Sequence, residues 1–284
     1  MPSSPVLDTI AVRCPVCNGG SDEIFMDVRG YRVARCAICG FLFVNPRPTP
    51  EALATLYAGA NPYHGEEFEP TAWERPVLTR LVAGIRRRAR GNRFLEVGCG
   101  RGDLLRTAAA AGFTVSGCDY FGADRPAIEG ASFHDGALCD ARLPAASFDV
   151  VVSRNTLEHL FDPRGELREM VRVLKPDGLL YLKVPNVAYE HGWLCRLVFR
   201  QPHVLEPPYH LNYFTAESLR RLLETAGLRL DRWSLERPSR ERSWKANLAR
   251  EAYFRASLAL AAVSGGRVFP RIILACFATH QPMP

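Results

Sequence analysis

From residue 92 onward, short apolar runs alternate with stretches in which apolar residues return every three or four positions. The runs at 93–97, 114–119, 132–134, 148–153 and 179–184 are mostly unbroken by polar residues, as strands covered on both faces require. Between them, 103–111 and 164–174 carry helical spacing. Repeated strand–helix units of this length predict a parallel sheet with helices on both sides. The C-terminal part leaves this alternation. A helix over 216–226 opens after Thr215, with Ser218 in its first turn, and stops at Gly227. A strand at 228–235, a helix over 244–263 and a last strand at 271–277 follow.

Upstream the pattern is different. Residues 1–48 hold short strand-like runs such as 31–35, and Asn45-Pro46-Arg47-Pro48-Thr49-Pro50 is stiff, unable to continue a sheet, and reads as a linker. Beyond it a helix starting at Thr49 or Glu51 would hold Leu53, Leu56 and Tyr57 on one side. A second, over 73–90, has Val77, Leu78, Leu81, Val82 and Ile85 at helical spacing. The chain therefore divides into 1–48, a helical segment at 49–91, and an α/β domain at 92–284.

Composition narrows the class. With 47% hydrophobic and 23% charged residues over 284 positions, the balance is that of a soluble globular protein. No apolar run approaches the ~20 residues that span a bilayer, and the first residues lack a basic and then apolar leader. A cytoplasmic protein without a membrane partner is expected. The net charge of +6 would not repel an anionic substrate and does not indicate nucleic acid. The arginines from Arg86 to Arg93 suit a helix end, and those from Arg229 to Arg255 are interrupted by Asp231, Glu236, Glu241 and Glu251.

Nine cysteines add a metal site. Cys14-Pro15-Val16-Cys17 and Cys36-Ala37-Ile38-Cys39-Gly40 have 18 residues between them. Each CxxC forms a tight turn that aims two thiolates at one point, and two such turns complete a tetrahedral zinc site with no open position. So short a fragment buries little core, and metal binding would supply its folding energy. Two disulfides, or idle thiols, are the alternatives. The other five cysteines (Cys99, Cys118, Cys139, Cys195, Cys276) are scattered through apolar or tightly turning stretches, consistent with buried free thiols.

The strongest local signal is Phe94-Leu95-Glu96-Val97-Gly98-Cys99-Gly100-Arg101-Gly102-Asp103-Leu104-Leu105, a strand, a glycine turn and a helix start. Glycines at alternate positions let the backbone turn sharply and approach a ligand. The next strand ends at Asp119, placed for a carboxylate to hold a ribose diol. A dinucleotide loop reads G-x-G-x-x-G, but here Asp103 occupies the third glycine position, where it would repel a diphosphate.

These residues resemble motif I of the class I S-adenosylmethionine-dependent methyltransferases. Further segments resemble that family in order: Leu143 to Val151, Asn155-Thr156-Leu157-Glu158-His159-Leu160, Leu174-Lys175-Pro176-Asp177-Gly178 and His210-Leu211-Asn212-Tyr213-Phe214-Thr215. The resemblance covers residues 92 to about 235 well and the last fifty only in outline. It implies a Rossmann-like seven-stranded sheet whose last strand is antiparallel, S-adenosyl-L-methionine as cofactor, and cofactor contacts from Glu96, Gly98, Gly100, Gly102, Asp119, Tyr120, Leu138 and Asn155. Tyr120 or Phe121 would pack on the adenine. Many relatives carry an acidic residue after the third strand; this chain has Gly136-Ala137-Leu138 there, so the backbone around Leu138 would meet the adenine. The N-terminal ribbon, with Cys14, Cys17, Cys36 and Cys39 on structural Zn2+, is similar to one preceding methyltransferase domains that act on sugars and natural products.

Methyl transfer needs alignment, and a base where the nucleophile must lose a proton. His210, between a Pro-rich loop and a helix cap, and His159, just after the strand at 148–153, are the candidate catalytic residues. Zinc-ribbon sugar C-methyltransferases carry a Glu-His pair around His210, whereas here Tyr209 precedes it, so O- or N-methylation is as well supported as C-methylation. Tyr57, Tyr63 and His64 would close over the cofactor, and Trp193, Leu194, Leu197, Val198 and Phe199 would wall the acceptor pocket, or else belong to the core or a homodimer contact. The expected acceptor is a small molecule. An RNA base methyltransferase is a competing reading, disfavoured because Arg13, Arg29, Arg32 and Arg35 are offset by Asp8, Asp22, Glu23 and Asp27. A non-catalytic cofactor-binding scaffold is the third.

Overall fold

The computed structural model describes residues 7–20, 22–59, 75–120, 126–187, 206–234 and 273–280, with eight helical positions between 248 and 263. Tyr63, His64, Phe121, Cys195, the apolar patch at 193–199 and most of the helix expected at 244–263 lie outside the described residues.

Seven short elements come first: β1 (Thr9–Ile10), β2 (Asp22–Val28), β3 (Tyr31–Cys36), β4 (Leu42–Val44), β5 (Arg47–Pro48), α1 (Pro50–Gly59) and α2 (Arg75–Arg86). The alternating part is β6 (Arg93–Val97), α3 (Asp103–Ala110), β7 (Thr114–Asp119), β8 (Ser132–Asp135), β9 (Phe148–Arg154), α4 (Pro163–Val173) and β10 (Leu174–Pro185). Then come β11 (Asn212–Tyr213), α5 (Ala216–Thr225), β12 (Leu228–Trp233) and β13 (Ile273–His280).

The apolar runs assemble into one seven-stranded sheet in the order β12-β13-β10-β9-β6-β7-β8. Strand β13 is antiparallel to both its neighbours, and the pairs from β10 through β8 are parallel. Alternate residues of the central strands serve opposite layers, which is why the runs are apolar throughout. Leu95, Val97, Val151 and Leu182 pack with Leu167, Met170, Leu219 and Leu222 from α4 and α5. Phe94, Val150, Val152 and Tyr181 pack with Leu78, Val82, Ile85, Leu104 and Leu105 from α2 and α3. From β6 the chain proceeds to β7 on one side and returns to β9 on the other, so the switch point lies between β6 and β9, where open α/β sheets bind ligands.

Helix starts follow side-chain chemistry. Asp162 accepts the Gly165 N–H at 2.9 Å and Pro163 occupies the first turn, so α4 opens one residue before the expected 164. In α5, Thr215 and Ser218 satisfy each other's backbone N–H groups in a capping box. Strand β10 is longer than expected: Leu174 already pairs with Phe148, and pairing resumes at Leu179 after an irregularity that contains the anticipated turn.

The stretch read as a linker is a strand. Arg47 and Pro48 pair antiparallel with Ile10 and Thr9 in a two-stranded sheet. Proline is tolerated at this edge because the neighbouring Thr49 N–H supplies a hydrogen bond, to the Asp8 carbonyl at 2.9 Å. The cysteine-bearing sheet runs β11-β4-β3-β2, so its fourth strand comes from residues 212–213, far downstream. Phe41 packs on Phe214 with ring centroids 5.2 Å apart, and Cys14, Val16, Ala34 and Phe43 share one apolar core with α5. Among the described residues, no helix is long and apolar enough to cross a membrane.

Candidate functional site

Two loops at the carboxyl ends of β6 and β9 meet at the switch point. Gly98, Gly100 and Gly102 adopt φ of +75°, +49° and +76°, a path that favours glycine. The reasons differ along the loop. A Cβ on Gly98 would lie 2.0 Å from Thr156 Oγ1, so this glycine lets the β6 and β9 loops touch. A Cβ on Gly102 would meet Ile128 at 2.9 Å. At Gly100 a Cβ would meet nothing within 4 Å, leaving open space beside the backbone. That space lies next to Asp119, whose Oδ2 accepts the Gly100 N–H at 2.6 Å and whose Oδ1 accepts the Tyr120 N–H at 2.7 Å. Two backbone donors thus fix the carboxylate where β7 ends. Tyr120 is 46% exposed.

Glu96, on β6 beneath the loop, is buried, and its Oε2 has no hydrogen-bond partner among the described residues. Burial pushes its carboxyl up to about 8; Arg154 opposes the shift, while Asp119 and Asp103 add to it. The folded protein therefore keeps this proton over a range where an unfolded chain, near 4.5, has lost it. The sign follows from linkage: stability is lost as pH rises from about 4.5 to about 8, by at most about 1.4 kcal/mol per pH unit. A Glu96→Gln variant is expected to show a shallower fall in melting temperature than the wild type over that range, read by calorimetry without ligand. Identical slopes would mean that Glu96 is ionised in the fold.

Leu138 is fully buried, and its N–H donates to Glu166 Oε1 at 2.7 Å. That N–H is thereby occupied from within the protein. Asn155 has φ +51° at the end of β9, and its N–H donates to the Lys183 carbonyl at 2.8 Å. It is exposed.

The second half of the site follows Thr156. Glu158, His159 and His210 bring one carboxylate oxygen and two ring nitrogens within 4.8 Å of one another. The imidazoles of His159 and His210 meet edge to face, with centroids 4.7 Å apart. His159 Nδ1 lies 3.0 Å from the Tyr209 carbonyl and 3.2 Å from the Tyr57 hydroxyl, so the proton belongs on Nδ1, since a carbonyl only accepts. His159 Nε2 then carries the lone pair and stands 3.9 Å from Glu158 Oε1. Burial, and then the neighbouring His210, push the His159 imidazole down to about 3, and burial pushes the Glu158 carboxyl up to about 8. Neither Glu158 oxygen has a hydrogen-bond partner among the described residues, and the Lys183 charge opposes the upward shift.

Backbone bonds hold this cluster together. The Glu158 carbonyl accepts the N–H groups of Leu211 (2.7 Å) and Asn212 (3.0 Å), and the Tyr213 hydroxyl donates to the His210 carbonyl at 2.9 Å. Asn212 Nδ2 donates to the carbonyls of Leu157 and Leu160 at 2.9 and 2.7 Å. Its Oδ1 accepts from Arg47, which is wholly buried and also donates to the Phe161 carbonyl at 2.6 Å. In the sequence Glu158 stands out only as the neighbour of His159, and Arg47 and Asn212 only within longer segments. Tyr57 lies against His159 and Tyr209, with centroids 6.4 and 6.2 Å away.

The four N-terminal cysteines converge as well. Cys14 and Cys39 Sγ atoms are 3.5 Å apart, as are those of Cys17 and Cys36, and all four lie within 4.8 Å of one another. Each turn places a left-handed residue four positions after its first cysteine, Asn18 at φ +60° and Gly40 at φ +72°. Each of those residues donates its N–H back to that cysteine's carbonyl, at 2.9 and 2.8 Å.

Comparison with known proteins gives the family. Residues 66–232 match the family described as a methyltransferase domain. A probable S-adenosylmethionine-dependent methyltransferase of Mycolicibacterium smegmatis is 34% identical over 150 residues, covering 51% of this chain and 54% of that protein. The chain thus aligns with about half of that relative's length. A ubiquinone biosynthesis O-methyltransferase of Idiomarina loihiensis is 27% identical over 193 residues, covering 60% of this chain and 79% of the relative. The crystal structure of Burkholderia thailandensis 1,6-didemethyltoxoflavin-N1-methyltransferase, with bound 1,6-didemethyltoxoflavin and S-adenosylhomocysteine, shares the fold with a TM-score of 0.54 and 17% identity. That match covers 93% of this chain and 100% of the other.

Proposed function

The chain belongs to the class I S-adenosylmethionine-dependent methyltransferases, and from that premise we propose that it methylates an oxygen or nitrogen of a small sugar-like or natural-product acceptor. The observation that carries this reading is the Glu158–His159–His210 cluster, which directly follows the Thr156 contact with Gly98. It is compact and largely buried rather than an open basic groove, which favours a small molecule over RNA. The two named relatives with defined chemistry, in ubiquinone biosynthesis and on didemethyltoxoflavin, also carry small-molecule names.

The residues present fit the cofactor. The open space at Gly100 and the fixed Asp119 carboxylate suit a ribose diol, and the unpartnered Glu96 Oε2 suits a cationic amino-acid end. Bound S-adenosyl-L-methionine supplies a sulfonium methyl for in-line displacement. Gly98, Gly100 and Gly102 then shape the path of the backbone around it, Asp119 orients the ribose hydroxyls, and Tyr120 covers the adenine. His210 and His159 face the acceptor. With His159 held neutral, His210 is the imidazole assigned to take the acceptor's proton.

The cysteine cluster fits zinc. Sulfur atoms bound tetrahedrally at ~2.3 Å stand about 3.8 Å apart, close to the spacings seen here. Cys14, Cys17, Cys36 and Cys39 are assigned to a structural Zn2+, with every position filled by protein.

Calorimetry with S-adenosylhomocysteine tests the cofactor site: micromolar-range binding is expected for the wild type, weakened at least ~10-fold in Asp119→Ala. Equal binding by both would remove Asp119 from the site. His210→Ala is expected to bind the cofactor product normally while losing 10²-fold or more of turnover on any acceptor found, roughly the worth of a general base. Unchanged turnover would take His210 out of the chemistry.

A further inference from the structure

Among the described residues, two groups of side chains could hold a metal ion: the four cysteines, and the cluster in the acceptor half of the site. We propose that Glu158, His159 and His210 form a second metal site, which takes a divalent transition-metal ion and keeps coordination positions open for oxygen atoms of the acceptor.

The donor set is one carboxylate and two imidazoles, the combination that suits zinc, manganese or cobalt rather than the all-oxygen cages of calcium and magnesium. The three ligand atoms lie within 4.8 Å of one another. Ligand atoms on a bound ion stand roughly 3–3.5 Å apart, a difference that small side-chain rotations close. The cysteine site is filled by four protein ligands, whereas this one supplies three, leaving room for the substrate.

Two further observations point to a cation. Glu158 is 1% exposed, and both of its carboxylate oxygens lack a hydrogen-bond partner among the described residues. A buried carboxylate without hydrogen bonds is costly even with the Lys183 charge acting on it, and such groups are found paired or on metals. The second observation is the support behind His159. Its Nδ1 hydrogen bond to the Tyr209 carbonyl, 3.0 Å long, fixes the tautomer in which Nε2 presents its lone pair toward Glu158. A backbone carbonyl behind a ligating histidine is the usual outer-shell arrangement at metal centres. The ligands are also pre-positioned: the Glu158 carbonyl is tied to Leu211 and Asn212, and the His210 carbonyl to Tyr213.

The inference rests on reading this cluster as the acceptor side of a methyltransferase, and it deepens that reading. The acceptor class it selects is one with neighbouring oxygen donors, a vicinal diol or a hydroxyl beside a carbonyl, which can chelate an ion. In the metal-bound form both imidazoles are ligands; the ion lowers the pKa of the acceptor hydroxyl, whose proton passes to water, and His210 takes that proton itself only when the ion is absent.

The test is metal stoichiometry on the whole 284-residue chain. Protein is stripped with a chelator, reloaded with zinc or with cobalt, and analysed by mass spectrometry for metal per chain, with titration calorimetry for affinity. The wild type is expected to bind two equivalents, and Glu158→Gln and His210→Ala one each, with melting curves confirming the fold. A wild type that saturates at one equivalent, or variants that retain two, would overturn the proposal. The wild-type count stands even if a variant fails to fold. S-adenosylhomocysteine binding measured on the same preparations separates the outcomes: binding with one zinc per chain removes only the second site, whereas no binding removes the methyltransferase reading itself.

Discussion

Alanine at Gly98 is expected to destabilise the protein by about 2–5 kcal/mol and to abolish measurable S-adenosylhomocysteine binding. The residue sits at φ +75°, which costs an L-residue roughly 1–2 kcal/mol. The added Cβ would lie 2.0 Å from Thr156 Oγ1, 2.6 Å from its Cγ2 and 2.8 Å from its Cβ. Thr156 cannot simply turn away, because its one hydroxyl hydrogen is shared between the carbonyls of Arg154 and Val97, at 3.1 and 3.3 Å. Relieving the overlap must therefore part the β6 and β9 loops, the two halves of the proposed site, and overpacking of this kind adds roughly 1–3 kcal/mol. Gly100→Ala is the informative contrast. Its Cβ would meet nothing in the protein, so the cost is only that of the backbone, at φ +49°, and the fold survives. The methyl would still intrude on the space assigned to the cofactor. Calorimetry and melting curves should then show one variant that has lost both properties and one that has lost binding alone. A Gly98→Ala protein that binds as the wild type does would detach this loop from the cofactor.

Much of this architecture was legible because burial on both faces of a sheet leaves a simple mark. The strands at Arg93–Val97 and Thr114–Asp119 fall where the apolar runs placed them, and the glycine turn between them announced its own geometry. The antiparallel last strand came instead from the family resemblance. What the sequence hid are single polar residues whose partners are distant. Arg47 lies in a proline-rich stretch that reads as a linker, yet its guanidinium reaches Asn212, 165 positions away. No periodicity marks such a contact. Nor does anything in the sequence show that Asn212–Tyr213 completes the cysteine-bearing sheet, since a two-residue strand is too short to carry an alternating pattern. Nothing in the spacing around Glu158 marks it as buried, and the residues that bond its carbonyl, Leu211 and Asn212, come from another part of the chain.

Those hidden contacts set the second large effect, expected at Arg47. The side chain is wholly buried and donates to the Phe161 carbonyl, the Val44 carbonyl and Asn212 Oδ1, at 2.6, 3.3 and 3.2 Å. Its guanidinium also stands over the rings of Phe43 and Phe161, 5.8 Å from each centroid. Burial pulls its pKa down to about 10, against the favourable charge of Asp162, so it stays protonated at neutral pH. Methionine at this position keeps most of the volume but leaves buried acceptors without a donor, at roughly 1–3 kcal/mol each. A loss of about 3–5 kcal/mol is therefore expected, and lysine, which keeps the charge without the planar fork, should fall between the two. The damage has a defined address. Asn212 joins Arg47 to the Leu157 and Leu160 carbonyls, so freeing it loosens the loop that carries Glu158 and His159 together with the segment that carries His210. Hydrogen exchange should show protection falling at Leu211 and Asn212, which bond to the Glu158 carbonyl, while amides within β6 and β7 hold. The cysteine-bearing sheet, whose β11 strand leads straight on from His210, would then be a structural wall of the acceptor site, with Arg47 as a second tie beside the β11–β4 pairing. Loss of protection spread evenly over both regions would instead make Arg47 an ordinary core residue with no particular hold on that site.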